Sequence, residues 1–147
     1  LIFTSGICTE EAIRARSALK KFGISMKHVH VSTLKPINEE LFLSLIGNSK
    51  FGIITMENHL VNGGLGSIVS DIISKHGIGK KLIKLGLQDT YAHGGSKGYL
   101  SRYYNLDALA LIKSIETLTK SKTNIEEADL NEARIEDVHS LSKAEAL

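Results

Sequence analysis

The stretch Phe51-Gly-Ile-Ile-Thr-Met-Glu-Asn-His-Leu-Val-Asn-Gly-Gly-Leu-Gly-Ser67 decides how the chain is read. It opens on Phe51 to Met56, an apolar run that suits a strand buried on both faces. Three polar residues follow, Glu57, Asn58 and His59, read as a loop at the strand's carboxyl end. Gly63, Gly64 and Gly66 then form a turn, and Ile68, Val69, Ile72 and Ile73 recur at helical spacing. The order is strand, polar loop, glycine turn, helix. A glycine turn at a helix start lets backbone N–H groups face a ligand or a packed neighbour.

The same order recurs on both sides. Leu1 to Thr4 is a strand candidate and Ser5-Gly6 turns it into a helix. Thr9-Glu10-Glu11 offers an N-cap type residue with early acids. Ala12, Ile13, Ala15, Ala18 and Leu19 form the apolar stripe, Lys20 and Lys21 lie in the last turn, and Gly23 stops the helix. Met26 to Val31 alternates as a second strand. Asn38 caps a short helix through Glu39, Glu40, Leu41 and Leu45, ended by Gly47-Asn48-Ser49. Lys81 to Leu87 is the fourth strand, and Gln88 to Lys97 a long loop. Gly98 to Tyr104 is a short helix. Asp107 caps another, whose buried face is Leu109, Leu111, Ile112, Ile115 and Leu118. No Asn-Gly or Asp-Gly hairpin pair joins one strand to the next. The expected fold class is therefore α/β: a three-layer α/β/α sandwich on a mostly parallel sheet of about four strands. Ligands of such sheets bind at the carboxyl ends of the strands. Those ends carry Ser5-Gly6, Ser32-Thr33, Glu57-Asn58-His59 and Gln88-Asp89.

A chain of 147 residues is long enough for one core, and 42% hydrophobic with 23% charged residues is the balance of a soluble globular protein. A net charge of +2 exerts no strong pull on nucleic acid or an anionic membrane. No run approaches the ~20 apolar residues of a membrane span. The single cysteine, Cys8, has no internal disulfide partner, which points to a reducing, cytoplasmic setting. The chain starts at Leu1, inside a strand and without Met, so a piece of a longer protein or a processed product is expected. Residues 1–118 read as the α/β domain and 119–147 as a charged C-terminal extension. In that extension four Lys/Arg and seven Asp/Glu give −3, and Ile135, Val138, Leu141, Ala144 and Leu147 recur every third position. This is either a weak amphipathic helix or a disordered tail.

The glycine turn fits neither nucleotide signature. Gly63-Gly64-Leu65-Gly66 lacks the G-x-G-x-x-G spacing, and no Gly-Lys-Ser/Thr follows for a P-loop. Glu57 and His59 offer a carboxylate and an imidazole for acid–base work, against the plainer role of Glu57 accepting N–H bonds that fix the loop. His93 is expected to approach the same edge. Cys8 reads as a buried structural thiol, Asp89 with Tyr91 as loop capping, and His28 with His30 as core or interface histidines without a third metal ligand. No complete catalytic set emerges.

Met56 to Ser67 closely resembles the Glu-x-His-x-x-x-Gly-Gly-Leu-Gly-Ser segment of transketolase C-terminal domains. Thr4-Ser-Gly6, Glu11-Ala12, Lys21-Phe-Gly-Ile24, Leu34-Lys-Pro36, Leu85-Gly-Leu-Gln-Asp-Thr90 and Tyr104-Asn-Leu-Asp107 match in order, over residues 1–118. Tyr91-Ala-His-Gly-Gly95 departs from the family's Phe-Gly-x-Ser-Gly. Leu85 to Asp89 and Ala92-His-Gly94 are also similar to 1-deoxyxylulose-5-phosphate synthase, a relative. The resemblance implies a strand order 2-1-3-4 and an additional antiparallel strand before Leu1. It implies a thiamine-diphosphate-dependent transferase of two-carbon ketol units between sugar phosphates, in cytoplasmic pentose phosphate metabolism. Thiamine diphosphate and Mg²⁺ would lie between a pyrophosphate domain and a pyrimidine domain of two subunits. This chain has no Gly-Asp-Gly…Asn-Asn motif, so it would hold no catalytic, cofactor-binding or metal residue and be inactive alone. Its partners would be those two domains, in the same enzyme or a separate subunit, within a homodimer. Glu57, Asn58, His59, Gly63 and Gly64 are then candidates for a contact site. The competing expectations are a stand-alone phosphate- or nucleotide-binding module, the C-terminal domain of 1-deoxyxylulose-5-phosphate synthase, or a scaffold docked through residues 119–147. The binding module would use the crevice between strands one and three, lined by Gly6, Glu57, Asn58 and the Gly63 turn.

Overall fold

Short apolar runs that feed helices leave the chain one arrangement, a parallel sheet with helices on both faces. The computed structural model describes residues 1–130. Its strands are β1 (Ile2–Thr4), β2 (His28–His30), β3 (Ile53–Leu60) and β4 (Leu82–Leu87). Its helices are α1 (Cys8–Lys21), α2 (Glu39–Gly47), α3 (Leu65–Lys75), α4 (Lys97–Tyr103), α5 (Ala108–Thr119) and α6 (Glu127–Leu130). All pairings are parallel, in the order β2-β1-β3-β4. The three-layer α/β/α class and the strand order are those expected. The recurrence from Ile135 to Leu147 lies outside the described residues.

Alternation along the strands divides the core in two. Ile2, Ile54 and Met56 pack with α1, α5 and Leu130 on one face. Phe3, Ile53 and Val31 pack with α2 and α3 on the other, where the Phe3 and Phe42 rings stack at 4.5 Å between centroids. Polar caps place the helices. Asn38 Oδ1 accepts from Leu41 N–H at 3.0 Å and Asp107 Oδ1 from Ala110 N–H at 2.9 Å, as their positions predicted. Lys80 Nζ donates to the carbonyls of Ile46, Gly47 and Ser49, closing the carboxyl end of α2.

Four local expectations are corrected. The second strand is shorter than Met26 to Val31: its ladder with β1 covers His28 to His30, and beyond it Lys27 O accepts from Ile2 N–H and Val31 N–H donates to Thr4 O, both at 2.8 Å. The third is longer. Glu57, Asn58 and His59 belong to β3, not to a loop, and they carry an irregularity: Met56 pairs with Leu85 and Leu60 with Leu87, so three residues on β3 face Gly86 alone on β4. Helix α1 starts at Cys8 with Ile7 in the cap position and no side-chain cap. Thr9, expected at the cap, lies inside the first turn. Ile13, placed on the buried stripe, is 43% exposed.

Beyond α5 the chain folds back. Thr123, Ile125 and Leu130 are buried, the last two in the α1/α5 core. Glu116 Oε1 accepts from both the backbone N–H and the hydroxyl of Thr123, at 2.5 and 2.8 Å.

Candidate functional site

The carboxyl edge of the sheet carries the residues singled out by sequence. The alternation along β3, with Ile54 and Met56 on one face and Ile53 on the other, continues and sends Glu57 and Asn58 to opposite faces. Glu57 is 2% exposed and turns toward α3. Its Oε2 accepts from Leu65 N–H and its Oε1 from Gly66 N–H, both at 2.7 Å. These are the first two amides of α3, which lack partners within the helix and sit where its dipole favours a negative charge. Gly64 makes the approach feasible, since a Cβ there would lie 2.0 Å from Glu57 Oε2. Gly63 N–H donates to Ser67 Oγ at 2.8 Å, and Ser67 Oγ donates to Val61 O at 3.2 Å. The turn is therefore closed by its own polar groups. The carboxylate occupies the position that a phosphate would take at this helix start, which removes the physical basis for a phosphate on the Gly63 turn.

Asn58 faces the α1 side and is exposed. Its Oδ1 lies 2.5 Å from where a Cβ of Gly6 would stand, and Gly6 has φ +57°, the left-handed region that favours glycine. The crevice expected between β1 and β3 is thus split. Gly6 and Asn58 meet on one side of the sheet, and Glu57 and the Gly63 turn on the other. His59 is exposed, with Nδ1 3.0 Å from Leu60 O and no contact to Glu57. On the α1 side a cavity of about 340 Å³ runs beneath α4, lined by Cys8, Glu11, Asn58, Leu87, Leu100 and Tyr104 among others. Cys8 is 1% exposed, and burial, followed by the charges of Glu11 and Glu57, pushes its thiol up to about 12. It is an inert thiol, not a nucleophile.

Sequence reading missed two polar clusters. Thr4 Oγ1 meets His28 Nε2 at 2.8 Å and Thr9 Oγ1 at 2.9 Å, and Thr9 Oγ1 meets His30 Nδ1 at 2.7 Å. Burial, then Arg16 and His30, holds the His28 pKa below its usual value. The period-2 spacing of the two histidines was visible; their threonine partners on other elements were not. Glu11, read as an early helix acid, reaches 97 residues along the chain. Its Oε2 accepts from Ala108 N–H at 2.9 Å and from Arg14 Nη1 at 2.8 Å. His93, expected near that edge, packs against the rings of Tyr99, Tyr103 and Tyr104, and no described contact joins it to Glu57 or His59. Asp89 and Tyr91 cap nothing in the described residues, and Tyr91 is fully exposed. Among the described residues no group of three or more His, Cys, Asp or Glu comes together as a metal site. With both Glu57 oxygens engaged as well, the edge does not fit thiamine diphosphate with Mg²⁺. Among the described residues no helix is long and apolar enough to cross a membrane.

The family model described as "Transketolase, C-terminal domain" matches residues 1–111. A "Putative transketolase C-terminal section" of Methanocaldococcus jannaschii is 39% identical over 114 residues, covering 78% of this chain and 35% of that protein. A "1-deoxy-D-xylulose-5-phosphate synthase 2" of Geobacter sulfurreducens is 30% identical over 120 residues, 81% of this chain and 19% of that one. The solved "Split gene transketolase, inactive beta4 tetramer" superposes with a TM-score of 0.70 at 30% identity, over 82% of this chain and 38% of that one. The chain thus spans about a third or less of the curated relatives it matches.

Proposed function

Since the chain belongs to the transketolase C-terminal domain family, we propose that it serves as the supporting third domain of a thiamine-diphosphate-dependent transferase of two-carbon ketol units between sugar phosphates. In this reading the chemistry, the thiamine diphosphate and the Mg²⁺ belong to pyrophosphate and pyrimidine domains, on the same enzyme or a separate subunit. This chain alone is inactive. The complete enzyme is a homodimer of cytoplasmic pentose phosphate metabolism. The single buried Cys8 suits that reducing compartment. Residues 1–118 form the family body and the extension begins at 119.

The observation that carries the supporting role is Glu57. The most prominent carboxylate of the family-like segment is buried, and both its oxygens hold the start of α3. Each oxygen is engaged by a backbone amide inside the fold. Asn58 and His59, exposed beside it, are the contact residues toward a neighbouring domain or subunit, while Glu57, Gly63 and Gly64 shape the turn that presents them. Titrating the chain with thiamine diphosphate and Mg²⁺ in a calorimeter is expected to give no binding heat. Saturable binding at micromolar ligand would overturn the reading.

A further inference from the structure

Four side chains from three elements form an unbroken row where β1 and β2 end beside α1. His28 Nε2 lies 2.8 Å from Thr4 Oγ1, Thr4 Oγ1 2.9 Å from Thr9 Oγ1, and Thr9 Oγ1 2.7 Å from His30 Nδ1. Strand register brings them together. Ile2 pairs with His28 and Thr4 with His30, so Thr4 and both histidines share the sheet face of Ile2, on which α1 packs. Thr9, in the first turn of α1, completes the row. Thr4 is fully buried, His28 half-buried and His30 exposed. Among the described residues neither hydroxyl has a further hydrogen-bond partner, and the outer nitrogens, His28 Nδ1 and His30 Nε2, have none.

Three hydrogen bonds need three protons, and two hydroxyls supply two. The third comes from a ring nitrogen, and which ring gives it fixes the direction of the row. If His28 Nε2 carries the proton, Thr4 donates to Thr9 and Thr9 to His30 Nδ1, so both neutral rings are Nε2–H. If His30 Nδ1 carries it, Thr9 donates to Thr4 and Thr4 to His28 Nε2, so both are Nδ1–H. Unlike rings break the row. Two ring donors strand a hydroxyl proton, and two ring acceptors leave no proton between the hydroxyls. Nε2–H is the commoner form of a neutral histidine, which favours the first direction. A proton taken up by exposed His30 makes its Nδ1 a donor, and then only the second direction keeps all three bonds. Relative to the first, that state has each row proton one atom nearer His30 and the added proton on His28 Nδ1. A second proton would make both rings donors. His28 resists it, being held below its usual pKa by burial, then by Arg16 on α1 and by His30. Of the other charged groups nearby, Glu10 beside Thr9 pairs with Lys97, Lys27 is felt by the Leu1 amino group, and β1 has no titratable side chain.

We propose that Thr4, Thr9, His28 and His30 are one proton-coupled switch, in which protonation of exposed His30 reverses the row and moves His28 from its Nε2–H to its Nδ1–H form while His28 stays neutral. Two rings that titrate as a unit are read together. Long-range proton–nitrogen NMR of the histidine-labelled 147-residue chain, followed from about pH 8 to about pH 5, reports the state of each ring nitrogen. At the upper end both rings are expected as Nε2–H. As His30 titrates, the His28 proton moves from Nε2 to Nδ1 with the same midpoint. Thr9→Val keeps the branched shape without the hydroxyl, so His28 holds one form while His30 titrates. Thr9→Ser returns the hydroxyl and the coupling. His30→Gln, at an exposed position, also leaves His28 in one form through that step and gives the reading should Thr9→Val not fold. Unlike rings at pH 8, two Nδ1–H rings at pH 8, separate midpoints, or a His28 response that survives Thr9→Val or His30→Gln overturns the proposal.

Discussion

Removing one acceptor from Glu57 tests how the start of α3 is held. In Glu57→Gln one carboxylate oxygen becomes an NH₂ group that faces a backbone N–H, so one of the amides of Leu65 and Gly66 loses its partner. An unsatisfied buried polar group costs about 1–3 kcal/mol, and urea unfolding should show a loss of that size. Gly64→Ala should cost as much or more, since its Cβ would collide with the same carboxylate. The Cys8 thiol, raised to about 12, is expected to resist alkylation at pH 8 in the native chain and to react once urea unfolds it. His28 gives a pH signature. Its folded pKa is depressed, so below pH ~6.5 the unfolded chain takes up a proton that the folded chain refuses. Stability therefore falls as pH drops from 6.5 toward the folded pKa. His28→Gln should flatten that part of the curve in urea midpoints measured between pH 7.5 and 5.

At the level of elements, α1 is the hub of one core face. Its Glu11 holds the first amide of α5, and its Arg14 reaches Glu127 on α6 at 3.6 Å. Arg14 Nε has no partner among the described residues, so its charge is balanced chiefly by Glu11. Arg14→Ala would leave Glu11 buried without its cation, a change that costs about 3–5 kcal/mol in comparable pairs. Chemical denaturation would show the shift. The segment after α5 depends on Glu116, whose pKa is held below the usual value by Thr123 through its backbone N–H and then its hydroxyl. That tie is present above pH ~4.5 and is lost as pH falls through the depressed value. Hydrogen exchange at the Thr123 and Ile125 amides should accelerate in Glu116→Ala at pH 7, and in the parent chain only in acid. The order of elements was legible from periodicity because most helices and strands bury an apolar face, α4 and β2 being without a buried residue. The strand character of Glu57 to His59 was not. Polar residues at the end of an apolar run read as a loop unless the helix amides that bury Glu57 are known, and those lie eight and nine residues further on.

For the molecule as a whole, sequence motifs located the edge of interest but not which side of the sheet each residue would serve. Gly6 and Asn58, and Glu57 with Gly64, are contacts between distant elements, and local pattern says nothing of them. The collar of rings that Tyr99, Tyr103 and Tyr104 form around His93 was present in the sequence as clustered tyrosines, but helical spacing alone placed Tyr99 and Tyr103 on an element without showing that they are exposed. That collar also fixes what light can report about this protein. With no tryptophan, absorbance near 280 nm and intrinsic fluorescence come from tyrosines at one end of the sheet, while Phe3, Phe42 and the two packed cores are nearly silent. A melt followed by tyrosine emission is a measurement of α4 and its loop; only far-ultraviolet circular dichroism follows the sheet and α1. If the edge loosens before the body melts, the two curves will separate, and the optical probe most often used to certify a folded sample will have recorded the departure of its margin.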